Sequence, residues 1–222
     1  MNAELEIPNA PSRWRLDNTA HLLYFGGRAF PCDREIAAAR PWQGHALLLS
    51  ADTDCLALWD ADGLIRTVRV GVYPQDMDVH ADAAWVCGGA DGMLHRLTLP
   101  SLQETASIVL PGMPERVCLH DGAAWVLSLL AEPEVCTVLL QVTVGTTKVQ
   151  EITRFAGIPG ALIADKTGLW VGVTELVVHL PWGTTVPDVI VEGIGLAEKI
   201  EVQDDGLVIT DGLEGRQFFV RT

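Results

Sequence analysis

Apolar residues along this chain fall in short runs rather than on a helical stripe. Ala46-Leu47-Leu48-Leu49, Ala84-Trp85-Val86-Cys87 and Val117-Cys118-Leu119 are examples, each bounded within a few residues by Gly, Pro or Asp. Runs of this length, rich in Val, Leu, Ile, Thr and aromatic residues and interrupted by pairs such as Asp62-Gly63, Asp121-Gly122 and Asp211-Gly212, predict β-strands joined by tight turns. Only 32–40, with Glu35-Ile36-Ala37-Ala38-Ala39, offers a helical turn, and its brevity favours a short strand or an irregular outer segment.

The strand order repeats. Segments 75–80, 84–87, 93–99 and 105–110 form one set of four, followed by 116–120, 123–128, 135–142 and 149–155, and then by 161–164, 169–173, 176–180 and 186–192. A proline opens each set at Pro74, Pro114 and Pro159, and a tryptophan stands eleven residues later at Trp85, Trp125 and Trp170. Pro11 and Pro41 are read as anchors of two compressed earlier units and Leu196 as the sixth anchor, with Leu22 and Leu207 at the tryptophan offset. In the Pro41 unit the first strand is compressed into Pro41-Trp42-Gln43-Gly44, ahead of strands at 46–49, 55–60 and 65–70.

Self-similarity at a period of a few tens of residues marks a repeat architecture, and four-strand antiparallel meanders repeated in series predict a β-propeller. The expected fold is an all-β, six-bladed propeller forming one domain over residues 1–222, or five blades if the two compressed units merge. After Leu196 only three strands follow, at 199–202, 206–210 and 217–221. Glu4-Leu5-Glu6-Ile7-Pro8 is therefore expected to complete the C-terminal blade, closing the ring and covering an edge that would otherwise invite aggregation.

The stretch Val70-Gly71-Val72-Tyr73-Pro74-Gln75-Asp76-Met77-Asp78-Val79, followed by Ala84-Trp85-Val86-Cys87 and a glycine turn, resembles YVTN/YncE-like and NHL-like β-propeller repeats. The resemblance implies the fold and does not select an activity, because propellers host lactonases, lyases, quinoprotein dehydrogenases and non-catalytic interaction proteins.

Charge narrows the partners. With 15 Lys plus Arg against 29 Asp plus Glu, the formal charge of -14 argues against nucleic acid and anionic membranes; surface acids of this kind provide solubility and leave a basic or cationic partner open. No basic segment leading into an apolar stretch opens the chain, and no apolar run reaches the roughly 18 residues of a spanning helix. Cys32, Cys55, Cys87, Cys118 and Cys136 lack CxxC spacing, which fits free thiols in a reducing, cytoplasmic setting rather than disulfides or zinc.

In a propeller, the loop leading into each innermost strand borders the central channel. Two residues past the six anchors stand Arg13, Gln43, Asp76, Arg116, Ala161 and Glu198, with Trp42 and Glu115 adjacent. The expected ligand-binding rim is therefore Arg13, Trp42, Gln43, Asp76, Glu115, Arg116 and Glu198. Turns between second and third strands add Asp52, Asp54, Asp91, Glu132, Glu134, Asp211 and Glu214 to the same face, which is expected to be acidic.

There is no GxSxG, no phosphate-binding glycine loop and no GxGxxG entering a helix. His80 and His120 occupy matching places in successive units, as structural residues do, and the three repeated tryptophans are expected to pack between blades. The expectation is a monomeric or weakly associating scaffold that binds a protein, peptide or small ligand, without catalytic residues, cofactor or metal. The alternative is a lactonase-like hydrolase or a lyase, with acids such as Asp76 and Glu198 around a divalent cation in the channel.

Overall fold

The computed structural model describes residues 4–6, 14–33 and 35–221, and every regular element among them is a β-strand. The chain divides into two compact units, Met1–Val109 and Leu110–Thr222. In the first, β1 (Glu4–Glu6), β2 (Trp14–Asp17), β3 (Leu22–Phe25) and β4 (Arg28–Pro31) form one sheet. A second holds β5 (Ile36–Trp42), β6 (His45–Ser50), β7 (Cys55–Asp60) and β8 (Gly63–Arg69), and a third holds β9 (Pro74–His80), β10 (Ala83–Gly88), β11 (Met93–Thr98) and β12 (Gln103–Val109).

In the second unit β13 (Met113–His120), β14 (Ala123–Leu130), β15 (Cys136–Thr143) and β16 (Val149–Ala156) form a sheet. The last sheet is β17 (Pro159–Ala164), β18 (Gly168–Pro181), β19 (Asp188–Gln203), β20 (Gly206–Asp211) and β21 (Gln217–Arg221). All neighbouring strands are antiparallel, as the turn-rich sequence requires.

Burial explains the strand composition. β10 and the first six residues of β14 are buried on both faces, so they read as unbroken apolar runs, whereas β8 and β12 are largely exposed and read as polar. The core lies between sheets. Trp125 and Leu127 of β14 pack with Leu169 and Val171 of β18, and Leu47 of β6 packs with Met77 and Val86 of the next sheet. Trp85, Trp125 and Trp170 are all buried; Trp170 packs against Ile200, Leu207 and Ile209.

One register recurs in five hairpins. Ile36 pairs with Ser50, Pro74 with Gly88, Pro114 with Ser128, Pro159 with Val173 and Ala197 with Asp211, always fourteen residues apart. Immediately after each of these pairs the ladder shifts by one residue, leaving an extra residue on the inner strand. Such a β-bulge kinks the strand and re-aims a side chain. The extra residue is Ala37, Gln75, Glu115 and Glu198 in four of the hairpins and falls within Gly160-Ala161 in the fifth.

This register corrects the second anchor. Pro41 lies inside β5, paired with Ala46, and the strand begins at Ile36, so 36–40 is an innermost strand rather than an outer segment. The proline is tolerated because β5 is an edge strand, where a missing N–H breaks no ladder bond. With Ile36 as anchor, Leu47 falls at the eleven-residue offset and is fully buried, taking the tryptophan's place.

The C-terminal sheet is compound. Trp170 stacks on His179 with ring centres 4.2 Å apart, and the Trp182 backbone amide donates to the Thr167 carbonyl at 3.2 Å. Nine residues of straight strand would separate those rings by roughly 30 Å, so β18 folds back on itself at Thr174-Glu175, where Glu175 has φ +61°. β19 pairs first with β18 through 188–196 and then with β20 through 197–203, joining what the sequence divides into two units. Among the described residues five sheets result, and the two compressed N-terminal units stay separate.

The closing strand also differs from expectation. Glu4, Leu5 and Glu6 pair with Asp17, Leu16 and Arg15 of β2, and β21 ends its sheet without a strand on its outer side among the described residues. An alternating edge strand fits any open edge. Only seven residues separate β1 from β2, which makes that pairing the cheaper one in closure entropy.

Candidate functional site

The bulges define the candidate site, because they release one residue per inner strand from the ladder at the strand's entry. In the first unit the entry of β9 carries Gln75 at the bulge and Asp76 beside it. Asp76 is buried to 9% exposure, and its Oδ1 accepts from the Met77 amide at 2.9 Å and from Arg40 Nη2 at 3.1 Å. Arg40 comes from β5, which lies alongside β9, and its Nε also stands 3.8 Å from Asp78 Oδ1. Sequence reasoning missed Arg40 because anchoring on Pro41 hid the strand that carries it.

Trp42 and Gln43 do not join this entry. They sit at the far end of β5, in the turn to β6, where Gln43 adopts φ +46° and Trp42 Nε1 donates to the Ala81 carbonyl at 2.7 Å. Both therefore leave the rim assigned from sequence, and the physical reason is the shifted anchor. Arg13 lies outside the described residues.

In the second unit the bulge of β13 presents Glu115, followed by Arg116. Arg116 Nε donates to the Gly160 carbonyl of β17, and its Nη1 to the Glu115 carbonyl at 2.9 Å, so the guanidinium ties two inner strands together. Burial pushes the Glu115 carboxyl above its ordinary value, and the neighbouring Arg116 charge only partly offsets this. Gly160 has no room for a side chain, since a Cβ there would lie 2.2 Å from the Ala197 carbonyl oxygen. Glu198, the bulge residue of β19, is exposed.

Several acids expected to face a ligand are instead committed inward. Asp211 is buried, and Gly195, Leu196, Leu213 and Glu214 amides donate to it at 2.9 to 3.4 Å. Desolvation, the largest single influence, raises its pKa, but the four N–H donors together hold the carboxyl below the ordinary range. Asp54 is likewise lowered, by Arg69 at 2.8 Å and by the Tyr73 amide at 2.7 Å. Asp91 pairs with His95 Nε2 at 3.1 Å, while Glu104 takes the Nδ1 side at 2.8 Å. With both nitrogens engaged and the residue buried, His95 clamps its turn to the neighbouring strand. Among the described residues no group of three or more His, Cys, Asp or Glu side chains is gathered as a metal site.

No protein-family model matches the chain, and no curated protein matches it by sequence. Solved structures do match in fold. Hydrazine synthase of Kuenenia stuttgartiensis superposes with TM-score 0.77 at 10% identity, covering 96% of this chain and 74% of that one. Virginiamycin B lyase from Staphylococcus aureus gives 0.72 at 16% identity, covering 98% and 83%. The WD40 repeats of RRP9 give 0.70 at 11% identity, covering 91% and 71%. The fold is thus that of the β-propeller repeat proteins, a class spanning a lyase and WD40 repeats, and at these identities the likeness concerns fold alone.

Proposed function

We propose that this chain is a non-catalytic binding scaffold that engages a cationic protein, peptide or small ligand through the bulged entries of its inner strands. The observation that carries the reading is the recurrence of the bulge in five hairpins, with acids at or beside it at Asp76, Glu115 and Glu198. A bulge kept at one place in five hairpins is a device for aiming side chains. The excess of negative charge adds long-range attraction for a basic partner. The same reading takes the chain as six repeats, the last having three strands, because residues 159–221 contain a four-strand and a three-strand meander joined through β19.

Calorimetric titration with a peptide of alternating lysine and serine tests this. Binding should weaken by about two- to fivefold in Glu198→Gln, the range for one exposed charge, and should diminish with salt. Absence of binding to the wild-type protein counts against the scaffold reading. Stoichiometric calcium or zinc binding lost in Asp76→Asn or in Glu198→Gln would replace it with the hydrolase or lyase alternative.

A further inference from the structure

The second unit contains a cleft of about 530 Å³ at the opposite end of β13 from its bulge, lined by His120, Asp121, Trp125, Gln141, Trp182 and Thr184 among others. Its walls are aromatic. Trp125 and Trp182 stand with ring centres 5.7 Å apart and planes 48° apart, forming an open angle, and His120 stacks on Trp182 at 4.3 Å and 7°. Trp182 is fixed a second time, since its Nε1 donates to the Asp165 carbonyl at 2.9 Å. Asp165 in turn accepts from Trp170 Nε1 at 3.0 Å and from the Thr167 amide and hydroxyl, so the loop beneath the indole is itself braced. A ring held on one face and at its N–H is preorganised, which lowers the ordering cost of binding.

Part of the polar lining of the cleft is not used by the fold. The side chains of Asp121 and Gln141 make no hydrogen bond to any described residue. Trp125, nine-tenths buried, has an indole N–H that finds no acceptor among the described residues. Among the described residues Asp121 is the one carboxylate lining the cleft and no Lys or Arg lines it, so its electrostatics select positive charge, reinforced by the net charge of -14. Indole faces beside a carboxylate are the chemistry that holds alkylammonium groups, by attraction of the cation to the ring quadrupole.

We propose that this cleft binds a small organic cation, an alkylammonium head with an oxygen acceptor on its tail. The Trp125–Trp182 angle takes the head, Asp121 supplies the countercharge, and the tail oxygen accepts from the Gln141 amide. This site is separate from the inner-strand entries and does not depend on the scaffold reading.

Tryptophan fluorescence and indole N–H resonances are followed while choline is added to the full chain, with 3,3-dimethylbutanol as its uncharged isostere and methyl glucoside as a neutral sugar. Choline should saturate, shifting the Trp125 and Trp182 signals, with at least about tenfold preference over the isostere, the size expected of a desolvated cation–aromatic contact. Asp121→Asn should weaken choline by about fivefold or more, and Trp182→Phe should weaken it while retaining an aromatic wall. If Trp182→Phe disturbs folding, Asp121→Asn, at a turn on the surface, carries the test. Equal binding of choline and its isostere, no effect of Asp121→Asn, preference for the glucoside, or no saturation by choline would each overturn the proposal.

Discussion

Arg40 and Asp76 join two neighbouring inner strands, with Nη2 of the guanidinium 3.1 Å from Oδ1 of a carboxylate that is almost wholly buried. The pair stands at the entry of β9, beside the bulge that frees Gln75, so the same contact that knits β5 to β9 also fixes the charged floor of the candidate site. Arg116, reaching from β13 to the Gly160 carbonyl of β17, does the corresponding work in the second unit.

Replacing Arg40 with methionine keeps much of the side-chain volume and removes the charge. Asp76 then loses a charge-assisted partner while remaining buried, and stability should fall by about 1–3 kcal/mol. Chemical denaturation of R40M, D76N and the double variant checks this, since a shared contact makes the double variant less destabilised than the sum of the singles.

Asp211 should make the fold acid-sensitive. Its folded-state pKa lies below the ordinary aspartate value, so its contribution is complete above roughly pH 4 and is lost as pH falls through the folded value. Thermal unfolding of Asp211→Asn should be lower than wild type at pH 7, and the gap should narrow as the wild type is acidified below that point.

Glu115 carries the opposite sign. Its pKa is raised by burial, so the protonated form is favoured on folding, and that advantage disappears as pH rises through the folded value. Glu115→Gln, which resembles the neutral acid, should therefore unfold at a higher temperature than wild type at pH 7 and at the same temperature near pH 4. Melting curves at the two pH values check the sign.

Strand content and order were legible in the sequence because burial on both faces leaves continuous apolar runs, as in 84–87 and 123–128, between turn residues. The repeat was legible wherever a proline opens the inner strand, at Pro74, Pro114 and Pro159. It failed at Pro41, where a proline inside an edge strand imitates an anchor and Leu47 replaces the marker tryptophan. Trp42 and Gln43 were misplaced with it, while Asp76, Glu115, Arg116 and Glu198 do fall at or next to bulges. Two features had no local signal. The partner of Glu4–Glu6 could not be read from an alternating strand that fits either edge, and the inward use of Asp91 and Asp211 depends on where His95 and the Gly195 and Leu196 amides lie in space.

Amide chemical-shift mapping tests most directly whether the bulged strand entries of each unit bind. With the lysine–serine peptide added, shifts should centre on 74–76, 114–116 and 197–199. Shifts confined to the opposite strand ends, at Trp42–Gln43 and His80, with none at the bulges, would contradict it.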